Sequence, residues 1–349
     1  MDIKNLIIHQ HKSLIEALDQ LNKLLYIDSI SRLILFVVDD NDRVIGSITD
    51  GDVRRALVKH KDLHLNVVDI SNPNFMFAYD TEGFIDFSDY RKKDIKIIPM
   101  LDQQKRLVRI IDLDRTKAQL PLECMIMAGG RGKRLSPLTD TTPKPMLPLG
   151  DKPIIAHNID RLISFGIKKI YIAVKYLGEQ IEAYFGDGSD RGISIEYIWE
   201  DQPLGTAGAL ALIDNITTEH ILLMNSDLFT NVDFEELYQQ LVQTQADMVV
   251  ASTEYKIDIP YAILEEEDRQ VKRIAEKPSY VYHSNAGIYM LSKALVNQIP
   301  KQQFYDITDV MDDLLERGQR LVHVPIRGYW IDIGSPTDYK RAQDFIKHQ

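Results

Sequence analysis

Directly behind the apolar run Cys124–Ala128 the chain reads GGRGKRLSPLTDTTPKPMLPLGDKP, residues 129–153. Few sequences constrain a fold as tightly. Gly129, Gly130 and Gly132 let the backbone come close to a ligand without Cβ clashes, so several N–H groups can converge on an anion at the mouth of a sheet. Arg131, Lys133 and Arg134 follow at once, and Lys144 stands between Pro143 and Pro145. Proline fixes its own φ and restricts the residue before it, which predicts that Lys144 is presented from an extended segment. The combination suits a polyphosphate held by backbone amides and by two mobile cations, Arg134 and Lys144.

The loop is neither of the common phosphate motifs. Gly132-Lys133 is followed by Arg134 where a P-loop has Ser or Thr, and Gly130-x-Gly132 lacks the third glycine of a dinucleotide fingerprint. Around it, short apolar runs at Lys169–Val174, Ile193–Trp199, His220–Met224 and Met248–Ala251 alternate with helical periods at Ile154–Ser164, Gly178–Tyr184 and Phe234–Gln243. That rhythm predicts an α/β fold: a Rossmann-like, doubly wound mixed sheet, mostly parallel, with helices on both faces and a site at the carboxyl ends of its strands.

The chain of 349 residues is long enough for about two domains. Pro121, in the segment AQLPLE, marks the junction and divides the chain into residues 1–118 and 122–349. With 52 acidic against 41 basic residues the net charge is −11, so nucleic acid is not an expected partner. A nucleotide needs only a local cationic pocket. The single cysteine, Cys124, allows no intrachain disulfide, and no apolar stretch approaches the length of a membrane span, so a cytoplasmic, membrane-free protein is expected.

The first part carries an internal repeat. ILFVVDDNDRVIGSITDGD, residues 34–52, and KIIPMLDQQKRLVRIIDLDR, residues 96–115, share a pattern of strand, turn and strand at a constant offset, pairing Asp39 with Asp102, Arg43 with Arg106 and Ile48 with Ile111. On these residues the region resembles a tandem pair of CBS domains, an α+β module that often binds adenine nucleotides. The resemblance implies a ligand held by Thr49 and Asp52. Their equivalents are Asp112 and Arg115, so only the first repeat keeps the pattern. A purely packing or dimerising role for the module is an equal expectation.

The second part resembles the sugar-phosphate nucleotidyltransferases, which make NDP-sugars from a nucleoside triphosphate and a sugar 1-phosphate. The resemblance rests on the glycine loop, on Asn225-Ser226-Asp227 after the run ILLM, on EDQPLGTAGALAL (200–212), on Glu276-Lys277-Pro278, on Asn285-Ala286-Gly287-Ile288-Tyr289, and on Trp330, Asp332 and Gly334. It implies nucleotide contacts from Gly129, Gly130, Gly132, Gln202, Gly205 and Thr206, and sugar-phosphate contacts from Glu276, Lys277, Asn285 and Gly287. Asp227 and Asp332 become ligands for Mg²⁺, an ion for which two hard oxygen ligands plus substrate phosphates suffice. Zinc is not expected, because the nine histidines form no HExxH and no short-spaced pairing with Cys124.

Charge then sets the expected mechanism. The two substrates bring roughly five to six negative charges together, and the nucleophile is already anionic, so neutralisation and positioning matter more than a general base. The PKPMLPLGDKP form resembles the mannose 1-phosphate guanylyltransferase branch of the family more than the thymidylyltransferases, which implies guanylyl transfer to a mannose-like or amino sugar 1-phosphate. Uridylyl transfer, cytidylyl transfer to a phosphate such as phosphocholine, and an inactive nucleotide-sensing subunit are the alternatives. A homo-oligomer is expected.

Overall fold

Strands that are apolar at successive positions must be covered on both faces, and Leu122–Met127, Lys169–Val174 and His220–Asn225 are buried almost throughout. They form the centre of a seven-stranded sheet in the order Ser194–Trp199, Lys169–Val174, Leu122–Met127, His220–Asn225, Ser279–Ser292, Met248–Asp258, Leu321–Pro325. The first four strands are parallel to one another; Ser279–Ser292 runs antiparallel to both of its neighbours. The sheet is therefore mixed. The structure is a computed structural model and describes residues 3–25, 32–80, 85 and 87–348. Its two compact units are Met1–Gln119 and Leu120–Gln349.

In the second unit the helices Ile154–Ser164, Gly178–Phe185 and Phe234–Thr244 each bury one apolar stripe and leave the other side in water. Asp233 starts the last of these by accepting from the amides of Glu235 and Glu236, which satisfies two of the free N–H groups at a helix start. Because Leu122–Met127, Lys169–Val174 and His220–Asn225 point the same way, Gly129, Lys175 and Asp227 emerge on one side of the sheet. That side holds the large cavity described below.

Two local features differ from the sequence expectation. Lys144–Met146 is a single 3₁₀ turn and not an extended segment. Pro145 sits in the first turn of a helix, where an N–H has no intrahelical partner to lose, so the Pro-Lys-Pro pattern is as compatible with a helix start as with an extended chain. The strand Met248–Asp258 continues well past its apolar start, pairs with most of Ser279–Ser292, and is followed by a hairpin of Ile263–Glu267 and Gln270–Ala275. These outer portions are largely exposed, so no buried face imposes an apolar period that could be read in advance.

The first unit contains two small sheets built alike. Ile7–His9 is parallel to Ile34–Val38, which is antiparallel to Val44–Thr49; Ala78–Tyr79, Ile97–Leu101 and Leu107–Asp112 repeat the arrangement. The register repeats too. Ile34 faces Thr49 as Ile97 faces Asp112, and each hairpin carries its irregularity at the same place, Val37/Val38 and Met100/Leu101. Each turn is held by the same pair of charges, Asp39 with Arg43 at 2.9 Å and Asp102 with Arg106 at 2.8 Å. The repeats part after the third strand. Thr49 caps the helix Asp50–His60, whereas after Asp112 the chain closes turns onto the Asp112 carbonyl and enters no such helix.

Candidate active site

A cavity of about 940 Å³ opens at the carboxyl ends of the parallel strands. Gly129, Gly130, Gly132, Arg134, Lys144, Gly205, Thr206 and Asp227, all singled out in the sequence, line it. Gly132 has φ +63°, and a Cβ there would stand 3.0 Å from Cβ of Lys144 and 3.2 Å from Thr139, so the lysine packs directly against the glycine loop. Thr139 Oγ1 donates to the Gly132 carbonyl at 2.9 Å. Tyr176 donates to the carbonyl of Asp140 at 2.9 Å and lies under the guanidinium of Arg131, whose carbon is 5.4 Å from the ring centre. The loop is thus pinned from the next strand of the sheet.

The two aspartates come together through a short antiparallel pair. Leu228–Thr230 runs against Trp330–Asp332, with Leu228 opposite Asp332, and the amide of Ile333 donates to the carbonyl of Asp227 at 3.1 Å. Trp330 anchors the second segment by donating from Nε1 to the Ala286 carbonyl at 2.9 Å. Burial of one side of Asp332 and the negative charge of Asp227 raise its carboxyl above the ordinary value of 3.8, against the opposing pull of Lys144 and Arg134. Lys144 Nζ donates to Asp227 Oδ2. Arg134 completes the group, since a Cβ on Gly334 would stand 3.6 Å from its Nη2 and 3.7 Å from Asp332 Oδ1.

This donor set fits a hard divalent cation. The charge of Asp227 disfavours ionisation of Asp332, and a dication would relieve that repulsion.

The opposite wall is the turn Gly205–Gly208. Thr206 donates from its amide to Asp306 Oδ1 at 2.9 Å, and the amides of Ala207 and Gly208 donate to the Tyr305 carbonyl at 3.1 and 2.9 Å. Gly205 has φ +75°, and a Cβ there would lie 2.7 Å from the Tyr305 oxygen; only glycine allows this close approach. Within EDQPLGTAGALAL the chain forms one helical turn at Gly205–Gly208 followed by a 3₁₀ turn at Leu210–Leu212.

Several cavity residues were given no site role from the sequence: Lys175, Tyr176 and Asp306, and, within quoted motifs, Glu200 and Asn225. Glu200 is the most informative. Its Oε1 is buried with no hydrogen-bond partner, and burial raises its carboxyl above 4.5 despite the nearby charge of Lys175. Its place at the end of the strand Ser194–Trp199, three residues before the PLG turn, was the available signal. Lys175 donates to the Asp201 carbonyl at 2.9 Å and steadies the same stretch.

Other sequence candidates lie off the lining. Gln202 is exposed, as are Glu276 and Lys277, which stand between the strands Gln270–Ala275 and Ser279–Ser292. Asn285 is exposed and accepts from the Gly287 amide at 2.9 Å; a Cβ at Gly287, where φ is +73°, would come within 2.7 Å of Asn225 Nδ2. In the N-terminal unit Thr49 and Asp52 line a separate cavity of about 870 Å³. There they bond each other, Thr49 Oγ1 donating to Asp52 Oδ2 at 2.7 Å, while Arg55 donates to Asp52 Oδ1 at 2.6 Å.

The nucleotidyl transferase family model matches residues 123–349, and the CBS domain model matches residues 1–59. Among curated proteins the chain is 31% identical over 226 residues to the mannose-1-phosphate guanylyltransferase catalytic subunit beta of Xenopus tropicalis, covering 62% of each chain. It is 30% identical over 231 residues to the mannose-1-phosphate guanylyltransferase of Mycobacterium tuberculosis, covering 63% of each. The chain thus spans a little over three fifths of the length of these relatives. Among solved structures, a candidate glucose-1-phosphate thymidylyltransferase from Bacillus anthracis is similar with a TM-score of 0.54 and 25% identity, over 65% of this chain and 96% of that one. HddC from Yersinia pseudotuberculosis is similar with a TM-score of 0.52 and 26% identity, over 64% of this chain and 99% of that one. Among the described residues no helix is long and apolar enough to cross a membrane.

Proposed function

Because the chain belongs to the nucleotidyl transferase family, we propose that it transfers a nucleotidyl group from a nucleoside triphosphate to a sugar 1-phosphate. The observation that carries this reading is the convergence of Gly129, Gly130, Gly132, Arg134, Lys144 and Asp227 on one cavity, with Asp332 paired alongside. A sugar phosphate oxygen attacks the α-phosphorus; the new P–O bond forms as the bond to the β-phosphate breaks, and pyrophosphate leaves. The nucleophile is already anionic and needs no base. The glycine loop orients the triphosphate, and Arg134 and Lys144 lower the repulsion that keeps the two substrates apart. Enzymes of this family generally act with a divalent metal, and Asp227 and Asp332 would hold Mg²⁺ here. When bound, the ion supplies further neutralisation of phosphate charge. Glu276, Lys277, Asn285 and Gly287 meet the sugar phosphate on this reading, and Gln202 joins Gly205 and Thr206 beside the nucleotide.

Guanine is the proposed base. Its Watson–Crick edge offers two adjacent donors, N1–H and N2–H₂, which match the two acceptor oxygens of a carboxylate; cytosine and adenine offer a donor beside an acceptor, and uracil a single donor between acceptors. Glu200 supplies such a carboxylate with one oxygen still without a partner. The curated relatives that carry the guanylyltransferase name support the same choice, with a mannose-like sugar. A panel of nucleoside triphosphates and sugar 1-phosphates, read by pyrophosphate release, should give GTP as the preferred donor. Glu200→Gln should lower kcat/KM for GTP at least about tenfold and reduce its advantage over UTP. Equal use of all bases by the parent protein would remove guanine from the proposal.

For the N-terminal unit we propose an adenine nucleotide at the cavity of Thr49 and Asp52, as a regulatory ligand of a cytoplasmic, homo-oligomeric enzyme. A cavity lined by Thr49 and Asp52 of the first repeat and by Lys96, Ile97 and Pro99 of the second, and the CBS match over residues 1–59, support it. Titration of the full chain with AMP, ADP and ATP should give about one bound nucleotide per chain. Asp52→Ala should abolish it, with Thr49 still capping the helix and only the return bond of the capping box lost. Binding that survives Asp52→Ala would move the ligand elsewhere.

A further inference from the structure

One group of side chains in the N-terminal unit belongs to neither cavity. His9 ends the strand Ile7–His9, His11 follows two residues later, and Asp40 stands on the turn between Ile34–Val38 and Val44–Thr49. The parallel register sets His9 opposite Val38, and the Gln10 amide donates to the Val38 carbonyl at 2.9 Å, which ties the strand end to the start of the turn. His9 Nε2 lies 3.4 Å and His11 Nε2 3.3 Å from the same oxygen, Asp40 Oδ1. Among the described residues this is the one trio of His, Cys, Asp or Glu side chains whose ligand atoms all lie within 4.8 Å of one another.

The distances discriminate between two accounts. A charge-assisted hydrogen bond from an imidazole to a carboxylate is about 2.7–2.9 Å long, shorter than either contact. Around a tetrahedral Zn²⁺, with bonds of about 2.0–2.1 Å to nitrogen and oxygen, neighbouring ligand atoms stand about 3.3 Å apart. The two edges that meet at Asp40 Oδ1 match that value, and all three ligand atoms lie within 4.8 Å of one another. The carboxylate is also held in place before any ion arrives. Asp39 accepts from the amides of Asn41 and Arg43 at 2.9 Å each and from Arg43 Nε at 2.9 Å, which fixes the turn, and Gln10 Nε2 donates to Asp40 Oδ2 at 3.2 Å, leaving Oδ1 to the two rings. Such supporting bonds set the orientation of metal ligands.

We propose that His9, His11 and Asp40 form a binding site for a late first-row divalent cation, Zn²⁺ by preference, distinct from the carboxylate pair Asp227 and Asp332. Imidazole ligands favour Zn²⁺ over Mg²⁺, whereas an all-carboxylate site favours the harder ion. The side chains of His11 and Asp40 are 71% and 68% exposed, so the ion enters from solvent and water completes its shell. Binding would staple the first strand to the first hairpin turn of the unit.

The test uses the full chain in excess Mg²⁺, which occupies the carboxylate pair. Zn²⁺ is then titrated by calorimetry, and Co²⁺ is added separately as a visible-absorption probe of nitrogen ligation. One Zn²⁺ per chain is expected, with an affinity that falls at least about tenfold in His11→Asn and in Asp40→Asn and is unchanged in His64→Asn. Zn²⁺ should raise the Tm of the parent protein and not that of His11→Asn, since an ion that binds only the folded state stabilises it. A Zn²⁺ isotherm that is the same in His11→Asn and Asp40→Asn as in the parent, or no Zn²⁺ uptake in the presence of Mg²⁺, would overturn the assignment.

Discussion

Asp227→Asn and Asp332→Asn are each expected to lower kcat by at least about two orders of magnitude while the chain remains folded. The two carboxylates are aligned by backbone pairing between Leu228–Thr230 and Trp330–Asp332, and an amide side chain leaves that pairing untouched. What disappears is one anionic oxygen donor to the cation. Stability should move the other way for Asp332. Its carboxyl is raised in the folded protein by partial burial and by Asp227, so the folded state binds the proton more tightly than the unfolded chain does. Such a group favours folding below about pH 3.8, and the contribution is lost as pH rises through the raised value. At neutral pH without metal the ionised Asp332 is therefore a net burden, small because one side of it faces solvent. Asp332→Asn should melt no lower than the parent in a chelator and should lose the parent's gain in Tm on adding Mg²⁺. A folded Asp332→Asn variant with near-normal turnover would take Asp332 out of the metal site.

Lys144→Ala should cost about two to three orders of magnitude in kcat/KM for the nucleoside triphosphate, the range seen when one fixed stabiliser of developing charge is removed from an enclosed site. Lys144 is suited to that size of effect. Its side chain is only 12% exposed, it packs against Gly132, and its ammonium donates to Asp227, so it meets both the phosphate loop and the carboxylate pair. Lys144→Arg should not restore activity, because the compact ammonium donates to Asp227 and a planar guanidinium directs its donors differently. Steady-state kinetics with varied triphosphate, beside calorimetric binding of the same nucleotide, separate the loss of binding from the loss of turnover. A loss of less than tenfold would assign the triphosphate to Arg134 and the loop amides alone.

How much of this was legible in the residues follows from the range of the forces involved. The central strands were readable because burial on both faces demands unbroken apolar runs, and the glycine loop was readable because close backbone approach leaves only one residue type available at Gly132. The repeat in the N-terminal unit was readable down to its register, since Asp39 with Arg43 and Asp102 with Arg106 are local pairs that serve the same turn twice. Lys144 was placed in the right cavity, but its backbone was not foreseen, as proline suits a first helical turn and an extended chain alike.

Long-range packing decided the rest. Glu200 opens the segment EDQPLGTAGALAL without a role that the segment assigns it, and Asp306 stands in no motif; the first matters because the sheet buries one of its oxygens beside the glycine loop, and the second because Thr206, a hundred residues earlier, docks on it. Zinc was not expected because the histidines form no HExxH and no pairing with Cys124, and Asp40 comes beside His9 and His11 only when the parallel pairing of Ile7–His9 with Ile34–Val38 brings the turn alongside. Local sequence determined which elements form and where the backbone can bend close to a ligand. The tertiary structure alone decided which side chains meet, because those distances are set by sheet order and register, which link residues far apart along the chain.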